Sequence, residues 1–190
     1  MCHMQIDYLN IMLQSIYTER LILRSWREGD LEPFAAINAD EEVMRFFPAP
    51  LTREQSDNFA GKIIDEMAVK GYGLYAVELK STGRFIGYVG LHEIVFDAGF
   101  KGEIEIGWRL GCQYWCQGYA TEAARAVLCH ARRLGLARIY SFTAVVNIPS
   151  ERVMQKIGME KIGEFDMPSL APGHWLRRHV LYRTDLSERT

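Results

Sequence analysis

The sequence predicts a layered α/β domain of the α+β kind, with helices packed on one mixed sheet of six or seven strands. Three observations predict it. One segment repeats its apolar residues at helical spacing, several short segments alternate or run apolar as strands do, and the two kinds interleave along the chain.

The elements follow in order. Residues 1–16 carry no regular pattern and read as an extension. Leu21, Leu23 and Ser25 alternate with Ile22 and Arg24, which predicts a short strand. Asp30 can cap a helix running to about Ala39, after which Pro48 and Pro50 break the chain. Thr52-Arg53-Glu54-Gln55 has the Thr-x-x-Gln form of a capping box and opens a second helix to about Lys70. Leu74–Leu79 and Phe85–Phe96 read as strands joined by the turn Lys80-Ser81-Thr82-Gly83. Glu103–Leu110 is another strand, with Glu103, Glu105 and Gly107 on one face and Ile104, Ile106 and Trp108 on the other.

The clearest helix comes next. Ala120, Ala123, Ala124, Val127, Leu128, Ala131 and Leu134 form one continuous apolar stripe. Glu122 in its first turn, Arg132 and Arg133 in its last, and Gly135 beyond suit those ends. Ile139–Val146 reads as a buried strand, and Ser150–Ile157 as a short helix stopped by Gly158. Glu160–Phe165 and Arg177–Arg183 are strands around the Pro- and Gly-containing loop Met167–Gly173. No repeat or low-complexity tract divides the chain, so one domain is expected.

Bulk composition narrows the function classes. The 190 residues are 48% hydrophobic and 24% charged, with a formal net charge of −2, which is ordinary for a globular protein. Such a balance offers no broad attraction to nucleic acid or to an anionic membrane. No apolar run approaches the roughly 20 residues of a membrane helix. Cys2, Cys112, Cys116 and Cys129 are too few and too unevenly placed for a secreted disulfide scaffold. The N-terminus lacks a basic region and contains Asp7 and Gln14, unlike a signal peptide. The chain therefore reads as cytoplasmic, with reduced thiols and without nucleic-acid or membrane partners. Cys112-x-x-x-Cys116 with Cys129-His130 does not make a zinc site, because adjacent residues on a helix point in different directions.

One stretch carries chemistry. Gln113-Tyr114-Trp115-Cys116-Gln117-Gly118 links a strand to the clearest helix, whose first N–H groups have no partner within the helix and favour an anion. Gly118 would let a phosphate approach the main chain, whereas the alternative is a helix start capped by its own loop. A P-loop would need Gly-Lys-Ser/Thr here, and a dinucleotide fingerprint three glycines; the stretch has neither.

The pattern Gln113-x-x-Cys116-x-Gly118, followed by Tyr119-Ala120-Thr121-Glu122-Ala123, resembles the pyrophosphate loop of the GNAT N-acetyltransferases. It is most similar to the branch containing the ribosomal-protein-alanine acetyltransferases, with Cys116 where the first glycine is usual. Thr18–Arg24 resembles that branch's opening strand, Glu105-Ile106-Gly107-Trp108 its central strand, and Asn147-x-x-Ser150 with Val153-Met154 and Gly158-Met159 its helix motif. The resemblance covers residues 17–184, leaving 1–16 as an N-terminal extension and 185–190 as a C-terminal tail.

The resemblance implies a GNAT-type sheet splayed between two central parallel strands, Glu103–Leu110 and Ile139–Val146, with helices on both faces. It also implies acetyl-CoA as acyl donor, no metal, and direct attack by a primary amine in a ternary complex. Main-chain N–H groups near Trp108 and Leu110 would reach the acetyl oxygen or the pantetheine arm. Those of Gln113, Cys116, Gln117, Gly118, Tyr119, Ala120 and Thr121 would reach the diphosphate. Asn147 would bond the pantetheine or a bound water, and Ser150 would protonate the departing thiolate; alternatively Ser150 only N-caps its helix.

For the base, Glu105 and Glu103 share a strand face, and Glu105 is preferred. A solvated sheet face is the alternative for both. His92 is a further candidate, while His174 and His179 suit structural roles. Phe46, Phe47, Trp175 and Tyr182 line an apolar acceptor pocket or belong to the core. The acceptor is a peptide or protein N-terminus or a small-molecule amine, and the protein a monomer or homodimer. The competing reading is a coenzyme A-binding module without catalysis, motivated by Cys116 and by the choice of bases.

Overall fold

In the computed structural model, which describes residues 14–186, eight strands join one open sheet. They are β1 (Ile16–Tyr17), β2 (Leu21–Arg24), β3 (Leu74–Leu79), β4 (Phe85–Glu93), β5 (Ile104–Leu110), β6 (Arg138–Ala144), β7 (Glu160–Asp166) and β8 (Arg178–Asp185). Their order across the sheet is β1-β2-β3-β4-β5-β6-β8-β7. Every neighbouring pair is antiparallel except β5 and β6. Those two parallel strands share a single paired position, Glu105 against Tyr140, and just beyond it Ser141 Oγ donates to the Ile106 carbonyl at 2.9 Å. Past that point the strands part, so the sheet opens as a V toward their C-terminal ends.

Five helices cover the faces: α1 (Leu31–Ala39), α2 (Glu41–Met44), α3 (Arg53–Lys70), α4 (Tyr119–Arg133) and α5 (Ile148–Lys156). Side-chain contacts assign the faces. Phe34 of α1 and Phe59 of α3 lie against Tyr88 of β4, with ring centroids 6.0 Å apart in both pairs. His130 of α4 lies instead against Tyr75, on the other face, where Ala123, Ala124, Val127, Leu128 and Ala131 are buried. Thr52 and Gln55 form the expected capping box of α3, and Gly71 ends it at φ 73°.

Four details differ from the sequence expectation, each for a physical reason. The eighth strand, β1, has two residues and so carries no readable period; Ile16, assigned to the extension, pairs with Leu23 and is buried. At the other end Asp185 completes β8 and Leu186 is buried, so the tail begins later than 185; residues 1–13 and 187–190 lie outside the described residues. Asp30 precedes α1 but does not cap it, because its carboxylate is taken by Arg24 in a two-toothed pair of 2.7 and 2.9 Å. Leu134 closes α4 outside its last turn and is 42% exposed.

Close backbone contact sets the position of β5. Gly87, at φ 133°, lies so near that strand that a Cβ there would run into the Arg109 carbonyl and come within 2.8 Å of Leu110 Cα. Gly87→Ala is expected to cost about 2–3 kcal/mol by combined strain and overpacking. Thermal melting checks this, with Gly29→Ala, where a Cβ meets nothing within 4 Å, as the control that leaves stability near the wild type.

Candidate active site

At the end of β5 the chain makes a short 3-10 turn, Cys112–Tyr114, and then enters α4. Trp115 Nε1 donates to the Leu110 carbonyl (2.8 Å) and Gln117 Nε2 to the Gln113 carbonyl (2.9 Å), which fixes the loop on itself. Gly118 starts the helix at φ 84° with no side-chain cap, and the first bond is from Glu122 N–H to its carbonyl, 3.0 Å. From Cys116 to Thr121 the main-chain N–H groups donate to nothing among the described residues. Six successive donors at a helix N-terminus form a cradle for an anion.

Arg20, just before β2, borders that cradle. Its Nη1 donates to the Gln117 carbonyl (2.9 Å), its Nε to Glu122 Oε2 (2.6 Å), and its guanidinium lies 4.5 Å over the Tyr119 ring. Burial pushes the Glu122 carboxyl up, but the Thr18 hydroxyl and the main chain and side chain of Arg20 together hold it below its ordinary value. The one carboxylate in the first turn of α4 is thus neutralised rather than left to repel an incoming anion. No local pattern announced Arg20, which lies far from the loop in sequence.

The arms of the V present main chain. Ile94 N–H donates to the Glu103 carbonyl and Gly111 N–H to the Ile86 carbonyl, so the odd-numbered residues of β5 bond to β4. Trp108 and Leu110 therefore turn their N–H groups to the β6 side, where the sheet has opened. At the vertex stands Glu105. It is half-buried, forms no hydrogen bond or ion pair among the described residues, and burial pushes its pKa up to about 8. His92 lies opposite it on β4 and bonds to Glu66 of α3 through Nδ1 (2.9 Å). Glu103 precedes the strand, away from the opening, with its carboxylate 3.9 Å from Arg138.

β6 leads to the other arm's end. Asn147 caps α5, its Oδ1 accepting from Ser150 N–H (3.3 Å) and its Nδ2 donating to Thr143 Oγ1 (2.8 Å). Ser150 is thus the third residue of the helix and not its cap, and its hydroxyl has no protein partner among the described residues. The remaining candidates separate. His174 Nδ1 accepts from Leu176 N–H, His179 is buried with its pKa pushed down by burial, and Tyr182 is core, its hydroxyl donating to Glu151. Trp175 is 60% exposed, and Phe47 covers Arg109. Among the described residues no cluster of His, Cys, Asp and Glu is arranged to hold a metal. Nor is any helix among them long and apolar enough to cross a membrane.

A family profile, the acetyltransferase (GNAT) domain, matches residues 20–160. The chain belongs to the GNAT acetyltransferase family. The uncharacterized N-acetyltransferase YnaD of Bacillus subtilis (strain 168) is 32% identical over 152 residues, which is 79% of this chain and 85% of that protein. A GNAT-family acetyltransferase from Bacillus anthracis superposes with a TM-score of 0.76 at 29% identity, covering 92% of this chain and all of that one. The ribosomal-protein-S5-alanine acetyltransferase of Vibrio fischeri shares the fold, with a TM-score of 0.74 at 18% identity over 93% of this chain and 99% of that one. This GNAT protein is an N-acetyltransferase, so a binding module without catalysis is not favoured.

Cys116 is the one departure in the GNAT loop. At φ 59° it is the only non-glycine with positive φ among the described residues. Left-handed backbone costs an ordinary residue roughly 1–2 kcal/mol, and glycine returns part of that gain as unfolded-state entropy. Cys116→Gly is therefore expected to stabilise the protein by about 0.5–1 kcal/mol, read from chemical denaturation midpoints.

Proposed function

We propose that this enzyme transfers the acetyl group of acetyl-CoA to a primary amine by direct attack in a ternary complex, with Glu105 as the base. The observation that carries the proposal is the carboxylate at the vertex of the V, its pKa raised to about 8. An attacking amine must first lose its ammonium proton, and a base poised near the operating pH is the most effective acceptor for it. Glu105 meets that condition by burial alone. Glu103 lies outside the opening, with its carboxylate toward Arg138.

Acetyl-CoA supplies the activated thioester; the remaining work falls to this chain. The N–H groups from Cys116 to Thr121, with Gln113 fixing the loop and Arg20 beside it, hold the diphosphate. The N–H groups of Trp108 and Leu110, on the open edge of β5, receive the pantetheine arm and the acetyl oxygen. Ser150, whose hydroxyl is unengaged, donates the proton to the departing thiolate. Asn147 acts mainly by fixing the turn that presents Ser150, since both ends of its amide are engaged. The acceptor is a peptide or protein N-terminus or a small-molecule amine, a range supported by the sequence motifs shared with the alanine acetyltransferases.

Two outcomes test this. The pH profile of kcat/KM should rise as Glu105 loses its proton, levelling above an apparent pKa near 8. Glu105→Gln should abolish that limb and lower kcat/KM by about 100-fold; a limb that survives in the variant would move the base to another group. Ser150→Ala should keep the calorimetric affinity for acetyl-CoA while turnover falls by roughly 10- to 100-fold. Loss of affinity instead would assign Ser150 to binding.

A further inference from the structure

Among the described residues two arginines are buried, and their surroundings differ. Arg24 is neutralised by Asp30 and Glu78, each at 2.7 Å. Arg109 is 8% exposed and has no carboxylate within 4.0 Å among the described residues. Its Nη1 donates to Asn38 Oδ1 (2.5 Å), and neither its buried Nε nor its Nη2 has an acceptor among the described residues. The rings of Phe47, Tyr88 and Phe59 surround the guanidinium at 4.2, 5.6 and 5.7 Å. These rings soften the cost of a buried cation without supplying its missing counter-charge.

The strand's alternation puts Arg109 on the same face as Glu105, with Gly107 between them. A Cβ on Gly107 would meet nothing within 4 Å, so the sheet is open over the position midway between the two charged residues. Their Cα atoms are about 13 Å apart by strand rise, which leaves room for a small molecule between the side chains. Tyr88, directly opposite Arg109 on β4, feels both: burial raises its pKa, Arg109 lowers it and Glu105 raises it. The Nε–H and Nη2–H of an arginine lie parallel on one edge, the edge that matches the two oxygens of a carboxylate.

We propose that Arg109 binds a carboxylate of the acceptor, so that the substrate class is an amine bearing a carboxylate, laid over Gly107 with its nitrogen at Glu105. This rests on the assignment of Glu105 as the base, which places the acceptor on this face of the sheet.

The test is calorimetry on the coenzyme A-loaded protein. The probes are ω-amino acids of three to eight carbons and dipeptides, each against its carboxamide. The acids that fit should bind on the order of 100-fold more tightly than their amides. Arg109→Gln should erase that preference while leaving coenzyme affinity unchanged, and Arg109→Lys should restore part of it. Equal binding of every acid and its amide to the wild type would overturn the proposal, and this arm stands even where a variant fails to fold. So would Arg109→Gln weakening acids and amides alike. Because binding is measured without turnover, failure to acetylate any amine would count against the proposed reaction alone, and the acid–amide comparison would still decide the role of Arg109.

Discussion

The parting of β5 from β6 is the constraint on which the rest depends. A sheet in which those strands stayed paired would satisfy every main-chain group of Trp108 and Leu110 and leave no way through. Here the ladder stops after Glu105 and Tyr140, and the Ser141 hydroxyl takes the Ile106 carbonyl where the next backbone bond would fall. The opening is supported from both sides. Gly87 lets β4 press directly on β5, and β8 pairs with every residue of β6. The antiparallel flanks hold the V open, so the positions of its exposed donors are set by the sheet itself.

The division of labour follows from that geometry. In the proposed reaction the open edge and the N-terminus of α4 act through main chain, whose direction a strand or helix fixes regardless of side chain. On that proposal Cys116 in place of glycine keeps the N–H, and the cost of the substitution falls on backbone strain. On the face covered by α1 and α3 the proposed chemistry falls to side chains, and there identity matters. Glu105, His92 and Arg109 each have a distinct environment within one strand pair.

Local pattern made much of this legible. The capping box of α3, the apolar stripe of α4, the strand–loop–helix order and the unpartnered loop amides all follow from residues close in sequence. What stayed hidden depends on distant residues. Arg20 and Glu122 are 102 positions apart, and nothing near either predicts their 2.6 Å contact. Whether Ser150 or Asn147 caps α5 turned on where the helix starts, which period alone fixes only to within a turn. Arg109 did leave a trace, as a charged residue in the otherwise apolar run after Gly107, but its lack of a partner is visible only when α1 and α3 are in place.

The raised pKa of Glu105, which comes from burial, requires that Arg109 be held apart from it. A guanidinium brought against the carboxylate would favour its charged form and pull its pKa down, removing the proposed base from the range where it is useful. Asn38 holds Nη1, the rings of Phe47, Phe59 and Tyr88 wall in the guanidinium, and Gly107 offers no side chain to bridge the gap. In the proposed arrangement the cation stands near enough to meet one end of a small molecule and too far to quench the group assigned to act on the other. Asn38 is itself anchored by donating to Ser56 (2.8 Å), so the separation is set by packing between α1 and α3, well away from the coenzyme loop.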